Sequence, residues 1–191
     1  DIAILKKVFA YIAQWKDRGW QVPPVSLGVS GRFLSNPHLL ETLKVAEAPQ
    51  YALSFSMQTP TARELASPTL LWNTDGLHEL GIDIHLEGVG AQTTLGTLLT
   101  LKPCQLVLDT AVTRAAPEED QARQTVGMAV ALGTSIGAEM VAKGVEDKHH
   151  ATLMAKLNCT LVQGPQIALP FPAEGYDGAA FAASKAVSRS G

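Results

Sequence analysis

Three patterns in this sequence carry residue types capable of chemistry. Gly88-Val89-Gly90 follows an apolar run, as phosphate-cradling loops do, but the third glycine of a dinucleotide site is missing at its spacing. His149 and His150 suggest a metal, yet adjacent residues on a helix point about 100° apart, so the pair reads as a solvated helix face. The third pattern is a set of charged and amide side chains near the ends of short apolar runs: Glu87, Asp109, Lys143, Glu146 and Gln163. Glu87 reads either as a cation ligand or as the ion-pair partner of Lys143. Asp109 reads either as a functional carboxylate or as the cap of the next turn.

These side chains need elements to hold them, and the chain alternates strands with helices. Ile2, Leu5, Val8, Phe9, Ile12 and Trp15 repeat at helical steps, and Gly19 stops that helix. Strands are expected at Val25 to Val29, Tyr51 to Met57, Ile82 to Glu87, Gln105 to Leu108, Ala138 to Ala142 and Thr160 to Gln163. Between them fall a helix after Pro37, a helical stretch from Thr61 to Leu80 that Pro68 interrupts or restarts, and helices at Leu95 to Leu101, Pro117 to Leu132 and Asp147 to Leu157. Gly133 or Gly137 ends the fourth of these. Six apolar strands separated by helices indicate parallel βα units, with strands buried on both sides. Periodicity alone does not separate a barrel from an open doubly wound sheet. In either, function lies at the C-terminal ends of the strands.

Composition narrows the class. The 191 residues are 46% hydrophobic and 17% charged, the profile of one globular domain. A net charge of −3 argues against a nucleic-acid partner, and no apolar run reaches the length of a membrane helix. The expected domain spans 1–182, with 183–191 as a flexible tail. Cys104 and Cys159 read as reduced, buried thiols of a cytoplasmic protein. The methionines, Trp15, Trp20 and Trp72 read as core or groove packing.

The strand ends carry a family resemblance. Leu27-Gly28-Val29-Ser30, followed by Arg32, is similar to the Val-Asn-Leu-Ser segment of the bacterial EAL domain. Gly81 to Gly90 resembles its Asp-Asp-Phe-Gly strand and loop, and Leu106-Val107-Leu108-Asp109 its Leu-Lys-Ile-Asp. Val141-Ala142-Lys143-Gly144-Val145-Glu146 resembles Val-Ala-Glu-Gly-Val-Glu, and Gln163-Gly164 the Gln-Gly of its ending. The resemblance runs from Ile2 to Phe181. It implies an α/β fold, a modified TIM-type (β/α) barrel whose first two strands form a hairpin with the Glu-Ala-Leu signature. That triplet is absent from the sequence, and the six strands are expected to be the last six, with the hairpin upstream of Asp1.

The resemblance also implies what should be here and is not. Active relatives hold two divalent cations on carboxylates and an Asn, and cut cyclic-di-GMP with them. Here the Asn position is Gly28, the next strand's Glu falls at or beside Ser56, and the paired aspartates are Glu87 and Gly88. The strand Lys is Val107, and a metal-binding Glu is Lys143. A fixed cation ~4 Å from a dication costs about 4 kcal/mol per unit charge at an effective dielectric of 20. The expectation is a catalytically inactive module, with neither catalytic residues nor metal nor cofactor, acting through a protein partner or a homodimer. The self-associating surface is expected on the helix from Pro117 to Leu132 with the loop Asp109 to Ala116. The alternative is a receptor that binds cyclic-di-GMP weakly without cutting it, using Gln163, Asp109, Arg32, Glu87, Lys143 and Glu146. A residual phosphodiesterase is the remote third reading.

Overall fold

Local signals set most element ends. The computed structural model describes residues 2–46, 48 and 52–178, in two compact units. The smaller is built on α1 (Ile2–Asp17) and the segment after Pro170. Tyr176 packs its ring 4.6 Å from Trp15, meets Trp20 edge-on and donates its hydroxyl to the Gln21 carbonyl at 2.8 Å. The Tyr11 hydroxyl bonds the Glu174 carboxylate nearby.

The larger unit holds the sheet and its helices. They run as β1 (Val25–Gly28), α2 (Gly31–Leu34), α3 (Leu39–Val45), β2 (Leu53–Gln58), α4 (Ala62–Leu65) and α5 (Pro68–Glu79). Then come β3 (Asp83–Val89), α6 (Leu95–Leu101), β4 (Gln105–Leu108), α7 (Thr110–Ala115), α8 (Asp120–Ile136), β5 (Glu139–Lys143), α9 (Lys148–Lys156) and β6 (Leu161–Gln163). All six expected strands form. The start of the second was placed at Tyr51, which lies outside the described residues, as does the expected tail 183–191. The strands lie in simple chain order, β1 to β6, and every pairing from β2 to β6 is parallel. A doubly wound sheet reverses its order at a switch point. This one does not, so the architecture is a half-barrel.

Pro68 restarts a helix, sitting in the first turn of α5 behind the Ser67 cap. Three helical expectations need correction. The loop from Asp109 to Ala116 is mostly helix α7, because Asp109 accepts the Ala111 N–H at 2.8 Å and caps it. Helix α8 begins at Asp120 rather than Pro117 and runs past Leu132 to the left-handed Gly137. Gly133 lies inside it, where a Cβ would come 3.0 Å from the Met140 sulfur and 3.4 Å from Leu106. It lets helix approach sheet rather than ending the helix.

Burial on both sides holds only in parts of β2, β4 and β5, where Phe55 to Met57, Leu106 to Leu108 and Met140 to Ala142 are all buried. Leu53, Phe55 and Met57 on β2, Ile84 and Leu86 on β3, Leu106 and Leu108 on β4, and Met140 and Ala142 on β5 are buried. With a period of two, the opposite face carries Ser54, Ser56, Gln58, His85, Glu87, Gln105, Glu139 and Lys143, with Val107 and Val141 as its buried apolar pair. Closed barrels fill that face with branched aliphatic side chains. Here it is largely polar.

Side-chain roles also shift. His150 is no part of a solvated face: it is buried and its Nε2 lies 2.8 Å from the Thr113 carbonyl, tying α9 to α7. Trp72 is 74% exposed on α5 and Met128 59% on α8, so neither is core, while Met57, Met140 and Met154 are. Cys159 is buried and Cys104 half-buried, and burial pushes both thiols up to about 11. No helix among the described residues is long and apolar enough to cross a membrane.

Candidate functional site at the strand ends

Glu87 stands near the C-terminal end of β3, on the polar face. Three donors converge on its carboxylate: Ser56 Oγ at 2.7 Å, Gln58 Nε2 at 3.3 Å and Lys143 Nζ at 3.2 Å. Lys143 ends β5, so its long side chain reaches across β4 to make this pair. Burial opposes the charged form of Glu87, but the Ser56 hydroxyl and the Lys143 ammonium together outweigh it and hold the carboxyl below its ordinary value. The strand itself bends here. Gly88 takes φ +72, the pairing with β4 shifts register between Leu86 and Val89, and the Glu87 carbonyl accepts both the N–H and the hydroxyl of Thr59.

Two adjoining clefts open over these residues. The smaller, about 190 Å³, has Glu87, Lys143, Asp109, Thr110 and Val107 in its wall. The larger, about 530 Å³, lies between the loops after β2 and β3, and Gln58, Gly88 and Asp109 border both. Its remaining wall carries Thr59, Thr61, Thr93 and Thr97 beside Pro60, Ala62 and Leu65. The structure thus brings Glu87, Lys143 and Asp109 together. Glu146 faces elsewhere, in an exposed ion pair with Arg114 at 3.0 Å. Gln163 pairs with Lys143 in strand register, and its carbonyl accepts the N–H groups of Gly144 and Val145, but it borders neither cleft. Arg32 is exposed on α2 and borders neither.

Sequence reasoning overlooked Gln58 and the threonines. The alternation Ser54-Phe55-Ser56-Met57-Gln58 was the available signal for the first; the threonines belong to loops with no period to betray them. The donor set does not suit a pair of divalent cations. Glu87 already accepts from three donors, one of them a cation, and no group of three or more His, Cys, Asp or Glu among the described residues is placed to hold a metal.

A half-barrel of parallel strands in chain order, with polar side chains gathered at the strand ends, defines an α/β protein of the β/α-barrel class. The chain belongs to the EAL domain family, whose model matches residues 1–170. Among curated proteins it is similar to the oxygen sensor protein DosP of Escherichia coli K12, 20% identical over 92% of this chain and 22% of that protein. It is also similar to the cyclic di-GMP phosphodiesterase PdeR of the same organism, 23% identical over 91% of this chain and 27% of that one. The chain spans about a quarter of the length of these relatives. Among solved structures it superposes on the PaMucR phosphodiesterase in its c-di-GMP complex with a TM-score of 0.78 at 22% identity, covering 90% of this chain and 71% of that one. It superposes on the Xanthomonas citri FimX EAL domain in complex with c-diGMP with a TM-score of 0.73 at 15% identity, covering 92% and 70%. These likenesses establish the fold.

Proposed function

We propose that this chain is a catalytically inactive EAL module that acts through protein contacts in cyclic-di-GMP-related regulation. One observation carries the reading: the Lys143 ammonium sits 3.2 Å from Glu87, where the family resemblance places metal ligands. A lysine there supplies the positive charge without the open coordination sites that activate a water. Gly28 and Gly88 have no side chains to restore the shell. The expected outcome is no linear product from cyclic-di-GMP with Mg²⁺ or Mn²⁺. Product that scales with protein and vanishes with chelator overturns the proposal.

A second reading, a receptor that binds cyclic-di-GMP without cutting it, draws on the solved relatives described as complexes with that dinucleotide. Electrostatics limit it. The smaller cleft holds two carboxylates, Glu87 and Asp109, against one ammonium, Lys143. An anionic phosphodiester therefore meets a net negative wall, and binding should be weak and indifferent to Mg²⁺ or Ca²⁺. Calorimetric titration with and without those cations decides: submicromolar affinity left unchanged by Lys143→Glu removes this account of the pocket.

A further inference from the structure

The larger cleft has a wall that the inactive-module reading leaves unused. Among the described residues no lysine or arginine borders it, and its one charged group is Asp109. Asp109 spends Oδ1 on the Ala111 N–H and forms no ion pair among the described residues, which leaves Oδ2 as an acceptor. A second acceptor lines the same cleft. Gln58 donates its amide N–H to Glu87, so its Oε1 remains, and that oxygen hangs over Gly88, 2.9 Å from where a Cβ would be. The same cleft is also lined by the apolar Pro60, Ala62 and Leu65. Acceptors and apolar side chains in one cleft suit an amphipathic cation. Arginine matches best, because it lays an aliphatic stem on apolar surface and presents five N–H donors, enough to serve separate acceptors such as Asp109 Oδ2 and Gln58 Oε1.

We propose that this cleft receives an arginine side chain from a partner polypeptide. The proposal rests on the reading of the chain as a protein-contact module and assigns the partner's chemistry. Lys143 does not repel the incoming guanidinium strongly, because Glu87 already neutralises it at 3.2 Å. The cleft volume, about 530 Å³, also exceeds what a guanidinium group alone fills and leaves room for the flanking peptide.

The test is a titration of the 191-residue chain, followed by amide chemical shifts, with a blocked Gly-Ala-Arg-Ala-Gly peptide and its citrulline counterpart. Citrulline keeps the shape and removes the charge. The expected result is millimolar or tighter binding that moves the signals of Gln58, Gly88, Thr93 and Ala111, with the citrulline peptide weaker by about tenfold. Asp109→Asn should weaken the arginine peptide by a similar factor while keeping the α7 cap, since Asn caps as well as Asp. Ala62→Phe, which fills the cleft without changing its charge, should abolish binding by both peptides. Equal binding of the two peptides, or shifts elsewhere on the surface, overturns the arginine site yet leaves the inactive-module reading standing. Cyclic-di-GMP moving the same signals at lower concentration overturns it as well. Hydrolysis in the separate assay would remove the reading on which it rests.

Discussion

At position 88 the backbone itself resists any side chain. Gly88 holds φ +72, a conformation that L side chains rarely adopt, and an added Cβ would sit 2.9 Å from Gln58 Oε1. The glycine also lets β3 bulge so that the Glu87 carbonyl can accept twice from Thr59. Replacing it with the aspartate of active relatives therefore strains the turn and pushes Gln58 off Glu87. Gly88→Asp is expected to destabilise the chain by about 1–3 kcal/mol and to bring no hydrolysis. Urea unfolding measures the first part; a midpoint equal to that of the parent would mean the turn tolerates a side chain.

Helix α8 carries the expected self-association surface, and its burial divides the residues assigned to it. Ala122, Val126, Ala129 and Gly133 form the stripe against the sheet, whereas Gly127, Met128 and Ala131 face solvent. A glutamate at position 129 thus tests folding rather than association. Ala129→Glu should cost several kcal/mol, on the order of a buried unpaired charge. Met128→Glu with Ala131→Lys should leave the melting temperature within a degree or two and is the pair to combine with light scattering. Gly127 offers a control, because nothing lies within 4 Å of its missing Cβ. Gly127→Ala should stabilise the helix by about 0.5–1 kcal/mol. If Ala129→Glu melts like the parent, the stripe does not face the sheet.

For the whole molecule the polar face of the half-barrel makes stability depend on pH. Burial lowers the His85 pKa, against the opposing pull of Asp83, Glu139 and Glu87. Its Nδ1 lies 3.2 Å from Ser26 Oγ, so the strand face favours the neutral ring. An unfolded chain takes up that proton first, so stability should decline as pH falls below about 6.5 and level off once the folded ring protonates. Glu87, whose carboxyl is held below its ordinary value, adds a second loss as pH falls from about 4.5 through that lower value. Thermal unfolding across this range should show both slopes, and His85→Gln should flatten only the upper one. An upper slope that survives His85→Gln assigns it to another group.

Much of this was legible before any coordinates. Periodicity is written by neighbours in the chain, so six strands and most helices could be read directly, and the charges of Glu87 and Lys143 already suggested their pairing. The Asx-type cap at Asp109 is likewise local, an acceptor two residues before its donor. What the chain could not disclose depends on segments far apart meeting. The β1-to-β6 order separated a half-barrel from a doubly wound sheet, since a strand's own residues are the same in both. Burial of His150 and exposure of Trp72 turn on what packs over each helix. The larger cleft exists only because the loops after β2 and β3 stand side by side, with Thr61 and Thr93 of its wall 32 residues apart in the chain. Sequence determined the elements and which residues stand at the strand ends, because each is a property of single positions or short periods; tertiary structure decided which side chains share a surface, because that is set by through-space packing alone.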